Sequence, residues 1–157
     1  MHSKYKWFDK ILWIEKGYRA RAVKNIRPDE KFFVDHFPRL PVVPGMLQLE
    51  GLAQLGSWLV NASNDFGYAV TSQNIRGVNF RSFVKPGDQL LLEAEISSRE
   101  PGRVSVTGKV TVDGKVVASA KEIVYSCLLL SPEQQAKIKQ GFKEVQVIYQ
   151  SSGGPDE

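Results

Sequence analysis

Glu50, Gln54 and Ser57 stand at i, i+4 and i+7 in a stretch otherwise rich in leucine. In a helix that spacing puts all three on one face. A carboxylate among apolar neighbours is costly to ionise. Two outcomes are open to it. It pairs with a cation or with Gln54 as a structural group, or it stays partly protonated with a raised pKa, as a catalytic acid does. His36 lies upstream of Glu50, beside Phe37 and Pro38. Taken alone, such a histidine is an ordinary packed or surface residue. Facing one pocket with Glu50, a neutral imidazole and a carboxylic acid can remove one proton and donate another.

The chain between the two is stiff. Residues 36–45 read His-Phe-Pro-Arg-Leu-Pro-Val-Val-Pro-Gly, and their three prolines force an extended path. Pro44 then suits the first turn of a helix. That helix is predicted over residues 45–62, and the turn-rich cluster 61–67 stops it. Gly45 falls at its N-terminus, where amide N–H groups lack partners and the dipole is positive. An N–H there can hold a carbonyl oxygen as negative charge develops on it. Gly45 also serves as a plain turn glycine, and the two roles are compatible.

Met46, Leu47, Leu49, Leu52, Leu55, Trp58, Leu59 and Val60 surround nearly the whole axis of this helix. A helix apolar all round must be buried, so other elements are expected to wrap it. Residues 18–25 and 75–84 are strand candidates. Residues 89–100, 103–112 and 115–127 alternate apolar and polar, as strands do. Pro101-Gly102 and Asp113-Gly114 supply turns between them. These strands are about twice the usual length. Long antiparallel strands curling around one buried helix make the hot-dog architecture, an α+β fold. Ser131-Pro132-Glu133 is a good helix start, predicting a short surface helix to about Phe142. The chain is thus expected to divide into a domain over residues 1–130 and a C-terminal helix with a disordered tail over 131–157. Trp7 and Trp13 are expected as core or dimer contacts.

At 157 residues, 42% hydrophobic and 24% charged, the chain has the composition of one ordinary globular domain. One cysteine, Cys127, excludes a disulfide scaffold and reads as a buried apolar thiol. With two histidines, little remains for a metal site. The longest run without a charged residue covers residues 51–64, short of the roughly 18 a membrane span requires. No targeting peptide is evident, so a cytoplasmic location is expected. The net charge of +4 is concentrated in residues 1–27, which hold eight Lys/Arg against two acids. That segment is either a solvated surface or one that meets an acidic partner. No nucleic-acid-binding signature is present.

Residues 35–54 read Asp-His-Phe-Pro-Arg-Leu-Pro-Val-Val-Pro-Gly-Met-Leu-Gln-Leu-Glu-Gly-Leu-Ala-Gln. This closely resembles the signature of the beta-hydroxyacyl-acyl-carrier-protein dehydratases of fatty acid synthesis: His-Phe-Pro, Pro-Val-x-Pro-Gly, a helical Glu, then Ala-Gln. The similarity continues through Lys24-Asn25-Ile26, Asn79-Phe80-Arg81, Pro86-Gly87-Asp88 and Val112-Asp113-Gly114. It covers roughly residues 5–127.

The resemblance implies a hot-dog fold and a homodimer whose two central helices pack together, with a trimer of dimers as a larger allowed form. It implies dehydration of a (3R)-hydroxyacyl thioester to the trans-2-enoyl thioester. His36 would correspond to the base that takes the C2 proton and Glu50 to the acid that protonates the departing hydroxyl. The Gly45 amide would hold the thioester carbonyl, and Gln54 would orient Glu50. No metal or redox cofactor is implied, and the phosphopantetheine arm belongs to the acyl carrier protein. Carrier proteins are acidic, so a basic rim should steer them; Arg81 and Lys85 are the candidates, with Arg76 and Arg39 nearby. Three features depart from the family pattern: Asp35 where a glycine is usual, the pair Arg39-Leu40, and a longer tail. The competing readings are an acyl thioesterase and a non-catalytic acyl-binding hot-dog protein. The thioesterases of this fold usually lack the His-Phe-Pro and Pro-Gly frame, and a mere binder has no need of both His36 and Glu50.

Overall fold

The computed structural model describes residues 7–35 and 41–145. In chain order the elements are β1 (Lys10–Glu15), β2 (Arg19–Asn25), α1 (Phe32–Asp35), α2 (Gly45–Ser63), β3 (Tyr68–Phe80), β4 (Gln89–Glu100), β5 (Arg103–Val112), β6 (Lys115–Leu129) and α3 (Pro132–Val145). The six strands form one antiparallel sheet in the order β1-β2-β4-β5-β6-β3.

The strands with clean alternation fall where the pattern predicts. β4 and β5 match the predicted limits, and β6 runs two residues further. The turn between β5 and β6 places Asp113 and Gly114 both at positive φ (50° and 79°), the conformation that makes Asp-Gly a two-residue hairpin signal. Leu90, Leu92 and Ala94 on β4, Val106 and Val110 on β5, and Ala118 and Ala120 on β6 are buried. Together with Ala20 and Ala22 of β2 they form the face against which α2 packs.

Four readings of the sequence need correction. β1 was not anticipated, because the register shift between Ile11 and Trp13 breaks its alternation. The polar stretch 27–35, between the strand candidate 18–25 and the proline-rich segment, has no predicted element, yet it ends in the helical turn α1, which the buried Phe33 anchors. A single turn is too short to leave a periodic signal. β3 begins at Tyr68 and stops at Phe80, not 75–84. No residue of β3 is buried, so its limits come from backbone pairing with β6 rather than from a hydrophobic face. α3 extends three residues past Phe142, which is buried and stacks near Trp58 and Phe66. The predicted tail beyond residue 145 lies outside the described residues. Among the described residues no helix is long and apolar enough to cross a membrane.

Candidate active site

The site is built on the N-terminal half of α2. Pro44 caps this helix with no side-chain hydrogen bond, and its first turn carries no acidic residue. The prediction placed Pro44 inside the first turn; it stands one position earlier. A helix start without a capping side chain leaves amide donors and the positive end of the dipole available. The strand-like approach to it is tied down by Val43, whose N–H donates to the Val84 carbonyl at 2.7 Å. The Phe80 ring lies against Gly45 so closely that a Cβ there would stand 2.8 Å from Phe80 Cε1. A side chain at residue 45 would therefore have to push the half-exposed Phe80 ring aside.

One turn on, Gln54 donates from Nε2 to Glu50 Oε1 at 3.0 Å. Gln54 Oε1 in turn accepts from the backbone N–H of Trp7 at 3.0 Å. That second bond settles which end of the Gln54 amide faces Glu50: the carbonyl is engaged, so the NH2 points at the carboxylate. Glu50 is exposed and Gln54 half-buried in the single chain. The apolar pattern around α2 led to the expectation of a carboxylate wrapped by the chain's own sheet. The sheet covers only one flank. Gly51, Leu52, Leu55, Gly56 and Leu59 are buried against it, while Met46, beside the open flank, is 77% exposed.

The bond from Trp7 to Gln54, and Tyr125 altogether, escaped the sequence reading. Trp7, placed only as a core or dimer contact, is fully buried and its ring abuts Gly51, next to Leu92. Tyr125 is also fully buried, and its hydroxyl donates to the Ala53 carbonyl at 2.7 Å. The even-numbered alternation of Val116, Ala118 and Ala120 assigns Tyr125 to the opposite, outer face. A β-bulge reverses that parity. Val106 pairs with Ile123 but Gly108 pairs with Ala120, so between Ala120 and Ile123 β6 carries one extra residue and Ile123 and Tyr125 turn inward. The signal available was weak: a tyrosine in an otherwise aliphatic strand.

His36 and Arg39 lie outside the described residues. Asp35 is the last residue of the right-handed turn α1, so left-handed backbone is not what this position demands. The loop before it is held by Lys24, which is 9% exposed and bonds Glu30 at 3.0 Å. Of the two candidate docking cations, Arg81 lines a groove of about 630 Å³ on the outer face of the sheet, with Trp13, Arg19 and Lys109. Lys85 is exposed in the turn before β4. Neither forms a salt bridge among the described residues, whereas Arg76 is engaged by Glu122 at 2.6 Å. Cys127 is half-buried, and burial pushes its thiol up despite nearby Arg99. That is the environment of an inert thiol.

Residues 1–121 match the FabA-like domain family. The chain belongs to that family. Among curated relatives, the 3-hydroxyacyl-acyl-carrier-protein dehydratase FabZ of Geobacillus sp. (strain WCH70) is 46% identical over 89 residues, covering 56% of this chain and 61% of the relative. The FabZ dehydratase of Albidiferax ferrireducens is 42% identical over 98 residues, 60% of this chain and 65% of the relative. The chain thus spans a little under two thirds of the length of these relatives. Among solved structures, smu.793 from Streptococcus mutans, bound to acetyl CoA, superposes with a TM-score of 0.64 at 14% identity. That superposition covers 82% of this chain and 94% of the other, and at that identity it speaks for the hot-dog fold alone.

Proposed function

We propose that this protein dehydrates (3R)-hydroxyacyl thioesters, presented on an acyl carrier protein, to trans-2-enoyl thioesters. His36 takes the C2 proton, C2 and C3 form the double bond, and the C3–O bond breaks. Glu50 gives its proton to the departing hydroxyl, which leaves as water. The cycle closes when the proton on His36 returns, through solvent, to Glu50. The Gly45 amide, at the uncapped start of α2, holds the thioester oxygen as charge gathers there. Gln54 keeps the Glu50 carboxyl in one rotamer. The thioester already acidifies C2, so the mechanism calls for no metal or redox cofactor, and the phosphopantetheine arm arrives with the carrier.

The observation that carries this reading is the Trp7–Gln54–Glu50 relay on the open flank of α2. A carboxyl held by a fixed amide donor, on the uncovered side of an otherwise packed helix, is arranged for a substrate rather than for stability. A second copy of the chain is the natural cover for that flank. The proposal is a homodimer, cytoplasmic, with helices paired at the centre and each site taking His36 from one subunit and Glu50 from the other. Lys85 and Arg81 are the proposed contacts for an acidic carrier.

Two measurements test this. With a crotonyl or 3-hydroxyacyl thioester, enoyl absorbance should change while no free thiol appears; thiol release would make the protein a thioesterase, and silence in both would make it a binder. The His36→Ala and Glu50→Ala homodimers should each be nearly inactive. Unfolded together in equal amounts and refolded, they should recover roughly a quarter of wild-type activity, because half the dimers are mixed and each mixed dimer holds one intact site. Activity remaining at the single-variant level, with mixed dimers shown to form, would sink the shared site.

A further inference from the structure

Tyr125 makes a contact that packing alone does not require. Its hydroxyl reaches the main chain of α2 and donates to the Ala53 carbonyl at 2.7 Å. A helix carbonyl ordinarily accepts from the N–H four residues on; Ala53 takes a second donor from a strand 72 residues away in sequence. The approach is possible only because the next turn of α2 carries Gly56. A Cβ at that position would collide with the Tyr125 hydroxyl and stand 3.0 Å from Cζ. Glycine in a helix interior is less stable than alanine, so the gap at residue 56 comes at a cost to the helix itself.

The place of this contact gives it meaning. Ala53 follows Glu50 by three residues and precedes Gln54 by one. The Glu50 carboxyl and the Gln54 amide meet across the same turn of helix. Fixing the Ala53 carbonyl fixes the carbonyl end of the peptide unit whose nitrogen belongs to Gln54. The phenol is also a dependable donor. Burial first, and the nearby Glu50 charge second, push its pKa far above the ordinary tyrosine range. It remains protonated at any pH where an acid–base pair such as His36 and Glu50 works. The bulge in β6 is what aims it inward.

We propose that Tyr125 is a positioning residue for the dehydration, clamping through the Ala53 carbonyl the turn of α2 that holds Gln54 against Glu50. It does not touch substrate. The inference rests on the dehydratase reading, and the two fail differently.

The test uses full-length protein, wild type and three variants: Tyr125→Phe, Gly56→Ala, and the two combined. Tyr125→Phe keeps the ring and removes only the hydroxyl. It should lower kcat roughly five- to tenfold with KM nearly unchanged, since misplacing a catalytic group costs rate rather than ground-state binding. Gly56→Ala should lower kcat further, because its methyl displaces the phenol. In the combined variant the methyl occupies the space the hydroxyl vacated, so kcat should climb back toward that of Tyr125→Phe alone. The side-chain amide resonances of Gln54 should shift in Tyr125→Phe, a signature that loss of stability by itself does not produce. Wild-type kcat in Tyr125→Phe, or additive losses in the combined variant with unmoved Gln54 resonances, would overturn the assignment. Wild-type protein inert toward hydroxyacyl and enoyl thioesters would instead overturn the dehydratase reading, and this inference with it.

Discussion

The two flanks of α2 differ in kind. On the inner flank, Gly51, Leu52, Leu55, Gly56 and Leu59 are buried, and the two glycine gaps are filled by Trp7 and Tyr125. On the outer flank, Met46 and Glu50 are exposed and Gln54 and Ser57 are half-buried. Its inner residues hold the helix on the sheet; its outer residues include Glu50 and Gln54, the polar groups of the proposed site. β3 repeats the lesson at the sheet edge. It is 13 residues long without one buried residue, while β5, at 10 residues, buries half of its own. Elements that look alike in length differ in whether this chain alone completes their surroundings.

If the flanks carry different loads, substitutions on the outer one should cost rate first and those on the inner one stability first. The largest effect is expected from Glu50→Gln. It removes the proposed proton donor, so kcat/KM for a hydroxyacyl thioester should fall by a factor of about 10²–10⁴. The isosteric amide can still accept from Gln54, so stability should stay within about 0.5 kcal/mol. A thermal melt beside the rate measurement decides it; a large drop in Tm would mean the outer flank is structural after all.

Gly51→Ala probes the opposite flank. The new methyl would meet the Trp7 ring and stand 2.8 Å from Leu92 Cδ2. Overpacking of this kind costs about 1–3 kcal/mol, and better helix propensity returns at most about 1 kcal/mol. A net loss of about 1–2 kcal/mol is expected in urea titration. Because Trp7 also holds Gln54 through its backbone N–H, some loss of rate should accompany it. Undiminished stability would show that the indole moves aside freely and that the inner flank is looser than its burial suggests.

The smallest effect lies away from α2, on the outer face of the sheet. Burial would raise the Glu93 carboxyl, but the hydrogen bond and charge of Arg21, and then those of Lys109, outweigh it and hold the group below the usual carboxylate range. A carboxyl with a depressed folded-state pKa contributes stability above the ordinary carboxylate pKa, and that contribution is lost as pH falls through the folded value. Glu93→Gln should therefore cost under about 1 kcal/mol near neutrality, and the gap between variant and wild type should close on acidification. Urea midpoints at neutral and acid pH measure it. A gap that widens toward acid would place the effect elsewhere than in this ion pair.

The parts legible in the sequence are those with a local cause. β4, β5 and most of β6 are visible in strict alternation, their connecting turns in Pro-Gly and Asp-Gly, and α2 in its punctuation by Pro44 and the Asn-rich stop. The Glu50–Gln54 bond follows from i, i+4 spacing, and the structure makes it. β1 and β3 were misread for lack of a local cause: one has a shifted register and the other has no buried face. The apolar girdle of α2 showed that the helix needed cover on every side but carried no information on which side this chain supplies.

The sequence by itself determined the order of the chemical groups along the chain, the frame of prolines before α2, the face shared by Glu50, Gln54 and Ser57, and membership in the FabA-like domain family. Tertiary structure alone decided which groups distant in sequence meet. Trp7 reaches Gln54 across 47 residues, and Tyr125 reaches Ala53 across 72. The second contact depends on the extra residue that β6 carries between Ala120 and Ile123. Strand side chains alternate with a period of two, so one inserted residue exchanges the two faces for everything that follows. A pattern read along one strand cannot register that insertion, because a bulge is defined only against the partner strand that lacks it.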